Sequence, residues 1–117
     1  MPGVKKVLAK MKTQKITFFL ISRRENKENP NMAVRLLKKH GLWPKYFNET
    51  NAHFVTKDVD KETKAKELGI THYIDDKRKV LSVLVSVKNK FLFDSLGVFP
   101  DSEYPRVTSW EEIAKII

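Results

Sequence analysis

Asp75 and Asp76 stand side by side at the end of the apolar run 70–74, in the segment GITHYIDDKRKVL. Two carboxylates beside a buried strand are costly to desolvate unless a cation or positive groups share their charge, so the pair reads as a metal-facing corner. Two further polar groups belong to the same end of the predicted sheet. Ser22 directly follows the run ITFFLI, and Lys61 opens the helix after HFVT. In open α/β sheets ligands bind beyond the carboxyl ends of the strands. A hydroxyl donor, an ammonium group and a carboxylate pair together match a phosphate with magnesium: donors and positive charge for the phosphoryl oxygens, hard oxygens for the metal. Each residue also has an ordinary reading, Ser22 as a strand-end turn, Lys61 as a solvated lysine, Asp76 as the N-cap of the next helix. Asp75 is harder to reduce to such a role, because a second carboxylate beside a cap gains nothing structural. His40, His53 and His72 share no spacing and read as surface or core-edge residues.

The elements that must position these groups alternate between helical and strand patterns, the signature of a parallel sheet covered by helices. Val4, Val7, Leu8 and Met11 recur at helical spacing, and 16–21 then forms a continuous apolar run expected of a strand buried on both faces. Asn29 and Pro30 open the next helix, Ala33, Leu36, Leu37 and His40 line one face of it, and Gly41 ends it. His53–Thr56 reads as an edge strand. Asp60 is expected to cap a helix carrying Ala65 and Leu68 and stopped by Gly69. Residues 70–74 give the third strand, and Val80, Leu81, Leu84 and Val87 form the inward stripe of the helix after Asp76. Phe91–Phe93 begins a fourth strand. A loop with Pro100 and Pro105 leads to Ser109 and Glu112, which have capping-box spacing, and to a closing helix through Ile113, Ile116 and Ile117.

The chain has 117 residues, 41% hydrophobic and 32% charged, enough for one domain with its own core. It contains no cysteine, which excludes disulfides, thiolate metal sites and cysteine nucleophiles. No apolar run approaches the roughly 18–20 residues of a membrane span. The lysine-interleaved amino terminus is unlike a signal peptide, and a cytoplasmic location is expected. The net charge of +9 raises nucleic-acid binding as a function, since basic surfaces concentrate phosphates. The charge is diffuse, with clusters at Arg23–Arg24, Lys38–Lys39 and Lys77–Lys79 and no aromatic-basic platform, which favours a solvated basic surface.

The order of these motifs resembles the haloacid dehalogenase-like (HAD) superfamily, chiefly its phosphatases and nucleotidases. The stretch PGVKKVLAKMKTQKITFFLISRR is similar to the family's helix and second strand ending in a phosphate-binding Ser or Thr, here Ser22. TKDVDKETKAKELGITHYIDDKRKVL resembles the family lysine, here Lys61 with Lys57 or Lys64 as alternatives, followed by the acidic motif, here Asp75 and Asp76. NKFLFDSLGVFPDSEYPRVTSWEEI is similar to the last strand and closing helix of nucleotidase-like members. The resemblance implies a three-layer α/β/α Rossmann-like domain over residues 1–117, with a roughly four-stranded parallel sheet and no cap domain. It also implies a phosphoaspartyl mechanism: an aspartate on the first strand attacks phosphorus, and another, two residues on, serves as acid and base. Ser22 and Lys61 would bind the phosphoryl group, and Asp75 with Asp76 would hold Mg2+ directly or through water.

The family's Asp-x-Asp motif is expected ahead of the helix that begins at Gly3, where only Met1 and Pro2 stand. The chain therefore resembles the family's carboxyl-terminal portion, and phosphatase activity by the chain alone is not expected. Asp94 in FLFDSLGVF has the outline of the motif with Leu96 in place of its second acid; an ordinary strand end is favoured over a circular permutation using Asp94 as nucleophile. The strand that carries the motif in the family lies between the counterparts of 16–21 and 70–74. Those two strands are expected either to pair directly, the favoured arrangement, or to receive a strand from a partner chain or a second copy. The functions in view are a HAD-like phosphohydrolase-type domain, a non-catalytic module for a phosphorylated ligand or a protein, and a basic nucleic-acid-binding protein.

Overall fold

The structure, a computed structural model, describes residues 3–23, 30–99 and 102–116. Its elements follow one another as α1 (Val4–Thr13), β1 (Leu20–Arg23), α2 (Pro30–Lys39), β2 (Ala52–Val55), α3 (Asp58–Leu68), β3 (His72–Asp75), α4 (Arg78–Val83), β4 (Asn89–Phe93), β5 (Arg106–Val107) and α5 (Trp110–Ile116). This is a mixed α/β fold with every strand pair parallel. Among the described residues no helix is long and apolar enough to cross a membrane.

Local chemistry explains the helix ends that matter for the site. At α3, Asp58 and Asp60 lie in the first turn, where their charge meets the positive end of the helix dipole. Asp60 does not itself precede the helix, as the sequence suggests; it sits inside the first turn and its carboxylate accepts the Lys57 N–H at 3.1 Å. The helix stops at Gly69, whose φ of 68° lies in the left-handed region, while the Ile70 N–H closes on the Ala65 carbonyl at 3.0 Å. α5 begins as read from the sequence, with the Glu112 N–H donating to the Ser109 hydroxyl at 3.2 Å. Asn29, Pro100 and Ile117 lie outside the described residues.

The strands form two sheets, β1-β2 and β3-β4-β5, rather than one four-stranded sheet. Leu20 pairs with Ala52 and Arg23 with Val55 in the first, while His72 pairs with Asn89 and Asp75 with Leu92 in the second. The expected direct pairing of the strand over 16–21 with that over 70–74 does not occur: β1 and β3 each keep one edge outside any ladder among the described residues. The run 16–21 enters a ladder only from Leu20, and all four β1 residues are half-buried instead of being enclosed on both faces. β5 has two residues, too few to show a period in the sequence.

Helices tie the two sheets together. α1 carries Leu8 into a cluster with Leu42, Tyr46, Phe47 and Ala52, against which Leu20 and Phe54 pack. Its neighbour Val7 enters another cluster with Val107 and Ile113, joined by Ile74, Phe91 and Phe93. Both residues are 2% exposed, and burial of each is worth roughly 2 kcal/mol. A third cluster joins Ala65 of α3 to Tyr73, Val80, Leu81, Leu84, Val87 and Leu92, with Ile21 of β1 against it. The stripe expected after Asp76 is thus buried throughout, although α4 itself ends at Val83.

Candidate functional site

A cleft of about 630 Å³ separates the two sheets at their carboxyl ends; it is lined by Ser22 and Arg23 of β1, Asp58 and Lys61 of α3, and Asp75 and Asp76 at the end of β3. The four residues singled out from the sequence therefore share one cleft. Lys61 is the fourth residue of α3, one turn in from the Asp58 start, and this places its ammonium group on Asp75: Nζ lies 3.1 Å from Oδ2. The two side chains are 10% and 9% exposed, so the pair is largely withdrawn from water. Neither sequence alternative makes this contact. Lys57 is exposed at the N-cap of α3, and Lys64 pairs with Glu67 at 3.3 Å.

Asp75 uses both oxygens, Oδ2 on Lys61 and Oδ1 on the Lys77 N–H at 3.0 Å. Burial pushes its pKa above the ordinary carboxylate value; the Lys61 charge and the Lys77 N–H oppose the rise, and the adjoining Asp76 carboxylate adds to it. Tyr73 is affected in a similar way, its hydroxyl driven well above its ordinary pKa by burial and by Asp75 and Asp58. Asp76 is exposed and does not cap α4, because the N-cap is Lys77 and its N–H is bonded by Asp75. The division of labour anticipated for this pair is thus reversed: Asp75 makes the turn bond and the ion pair, whereas Asp76 extends toward solvent.

Ser22 is half-buried on the opposite wall, in register with Phe54, and its hydroxyl has no hydrogen-bond partner among the described residues. Beside it, Arg23 pairs with Asp58 at 3.5 Å. Asp58 is a cleft residue that sequence reasoning missed, since a helix capped by Asp60 leaves it in the preceding loop, whereas α3 begins at Asp58 itself. The lining thus holds three cationic side chains, Arg23, Lys61 and Lys77, against three carboxylates, Asp58, Asp75 and Asp76. The formal charges of the lining therefore balance.

Mg2+ keeps most of its waters and takes one or two protein carboxylates together with substrate phosphate. Asp75 and Asp76 fit that limited requirement, and no group of three His, Cys, Asp or Glu side chains with metal-binding spacing occurs among the described residues. The ordinary strand-end reading of Asp94 agrees with its surroundings. Both its oxygens accept backbone N–H groups, from Val98 and Phe99 at 2.9 Å, and Arg106 adds a third donor at 3.0 Å. No protein-family model, curated protein or solved structure matches this chain.

Proposed function

We propose that the chain is a HAD-like phosphohydrolase-type domain of three-layer α/β/α character whose Ser22, Lys61, Asp75 and Asp76 corner takes a phosphoryl group together with Mg2+. The observation that carries this reading is the buried Lys61–Asp75 pair at the carboxyl end of β3, across one cleft from the uncommitted hydroxyl of Ser22. Ser22 donates to a phosphoryl oxygen, and Lys61 supplies charge, sharing its ammonium hydrogens between Asp75 and the ligand. Bound Mg2+ would neutralise phosphate charge, with Asp75 and Asp76 holding it directly or through water. The lining supports recognition rather than turnover, because Asp58, the remaining carboxylate among the described lining residues, is engaged by Arg23.

The test is a titration with inorganic phosphate, with and without MgCl2, followed by amide NMR. Phosphate is expected to bind about ten-fold more tightly with Mg2+ present, and by linkage Mg2+ to bind more tightly with phosphate. Ser22→Ala and Lys61→Met weaken the phosphate arm, each with the folded spectrum retained. Failure of phosphate to perturb Ser22 or Lys61 at millimolar concentration removes the reading. A phosphomonoester assay on the same samples separates an enzyme from the non-catalytic alternative: hydrolysis abolished by Asp75→Asn identifies the former, binding without hydrolysis the latter.

A further inference from the structure

A second cavity, also of about 630 Å³, lies apart from the cleft and is bounded by the start of α1, the end of α2 and the start of α5. Its lining is Gly3, Lys5, Lys6, Lys39, His40 and Glu111, so three ammonium groups and an imidazole face one carboxylate. Unlike the cleft, whose charges balance, this lining is cationic. All four basic residues are exposed, and among the described residues Lys5, Lys6 and Lys39 form no ion pair.

The charge is concentrated here against local preference. Lys5 and Lys6 occupy the first turn of α1, which contains no acidic residue and whose Gly3 N-cap offers no side chain, so both lysines meet the positive end of the helix dipole. Lys39 stands in the last turn of α2, and the chain then turns at Gly41 with a φ of 72°. A Cβ at that position would stand 2.8 Å from Lys5 Nζ, so the glycine leaves room for the ammonium group to lie over the end of α2. On the other wall Glu111 Oε1 is seated against Gly3, where a Cβ would stand 2.9 Å from it. The first turn of α5, which carries Glu111 and Glu112, closes that side of the cavity with negative charge.

We propose that this cavity binds a small anion with two adjacent phosphoryl groups. Phosphoryl oxygens accept from several ammonium groups at once, and lysine acts toward them as a point charge that needs no fixed fork. The space lies within the range of small-molecule sites and exceeds what one phosphate group fills. Its cations come from two helices, so a second phosphoryl group finds donors of its own. A nucleic-acid backbone would have to continue past the acidic start of α5, which interrupts the basic track. The cavity shares no residue with the cleft that holds Ser22, Lys61, Asp75 and Asp76, so the two sites stand or fall separately.

The probe is sodium diphosphate in metal-free buffer at fixed ionic strength, followed by amide NMR on the full chain. Diphosphate is expected to shift the amides of Lys5, Lys6, Lys39 and His40 and to bind there roughly ten-fold more tightly than orthophosphate. Lys5→Met and Lys39→Met are each expected to weaken it by about five-fold while keeping the urea midpoint of the parent, since both lysines are exposed. Lys88→Met, at an exposed position outside either cavity, and Ser22→Ala in the cleft are expected to leave it within about two-fold. Equal affinity for orthophosphate and diphosphate overturns the inference. An equal loss from Lys88→Met also overturns it, by reducing the binding to diffuse charge. Shifts confined to Ser22 and Lys61 assign the diphosphate to the cleft and overturn it too. Displacement of diphosphate by a single-stranded oligonucleotide at equal phosphate concentration assigns the cavity to nucleic acid, with the same result.

Discussion

Asp75 and Asp94 both stand at the carboxyl ends of neighbouring strands, the first ending β3 opposite Leu92 and the second directly following β4. Each has a basic side chain at about the same distance, Lys61 at 3.1 Å and Arg106 at 3.0 Å. Their pKa values nevertheless move in opposite directions. Burial raises both, but at Asp94 the Phe99 and Val98 N–H groups and the Arg106 guanidinium outweigh it and hold the pKa below the ordinary carboxylate value. Asp75 receives one backbone N–H and a flexible ammonium group, with a second carboxylate alongside, and its pKa remains raised. A short ion pair therefore does not define a role. Fixed backbone donors make Asp94 the organiser of the 94–99 loop, whereas Asp75 can exchange partners.

The largest expected effect comes from Asp94→Ala, which orphans the Val98 and Phe99 N–H groups and the Arg106 guanidinium together. Urea unfolding should show a lower midpoint for this variant than for any substitution at Asp75, Lys61 or Asp76. A midpoint like that of the parent would remove the distinction between the two aspartates. Next, Asp75→Leu strands a buried ammonium group and is expected to cost about 3 kcal/mol, and Lys61→Met somewhat less, about 2 kcal/mol, because Asp75 can neutralise itself by taking up a proton. Replacing both partners should recover most of either loss, and urea curves for the single and double variants check this.

The pH dependence sharpens the contrast. Between the unfolded carboxylate value and its raised folded value Asp75 binds more protons in the native state, so its contribution to stability falls as pH rises through that window. Asp94 behaves oppositely: its contribution is present above the unfolded value and is lost as pH falls through its depressed folded value. Carboxyl carbon NMR titrations should place Asp75 above and Asp94 below an unperturbed aspartate. The smallest effect belongs to Asp76→Asn. Removing that charge should lower the Asp75 titration point while changing stability by less than about 0.5 kcal/mol, since Asp76 is exposed.

Much of the site was legible because it rests on local patterns. The alternation of helices and strands, the stripe through Val80 and Leu81, and the convergence of Ser22, Lys61 and Asp75 follow from periodicity and from the rule that strand ends build sites. What remained hidden depends on distant partners. Apolar composition marked ITFFLI as a strand but showed neither its partial exposure nor its neighbour, so the open edge of β1 could not be read from it. The donors that commit Asp94 come from positions 98, 99 and 106, beyond any local spacing rule. Identifying Lys61, rather than Lys57 or Lys64, as the partner of Asp75 required the start of α3, because spacings of four and three put all three on nearly one helical face and they differ mainly in position along the axis.

Val7 and Leu8 are adjacent on α1 yet serve different clusters, one beside each sheet. The helix consequently acts as a gauge block: its seating sets how far the wall bearing Ser22 stands from the wall bearing Asp75. The span of the cleft between Ser22 and Asp75 is therefore governed by two apolar residues outside its lining, and a change in their bulk would act as a change of calibre.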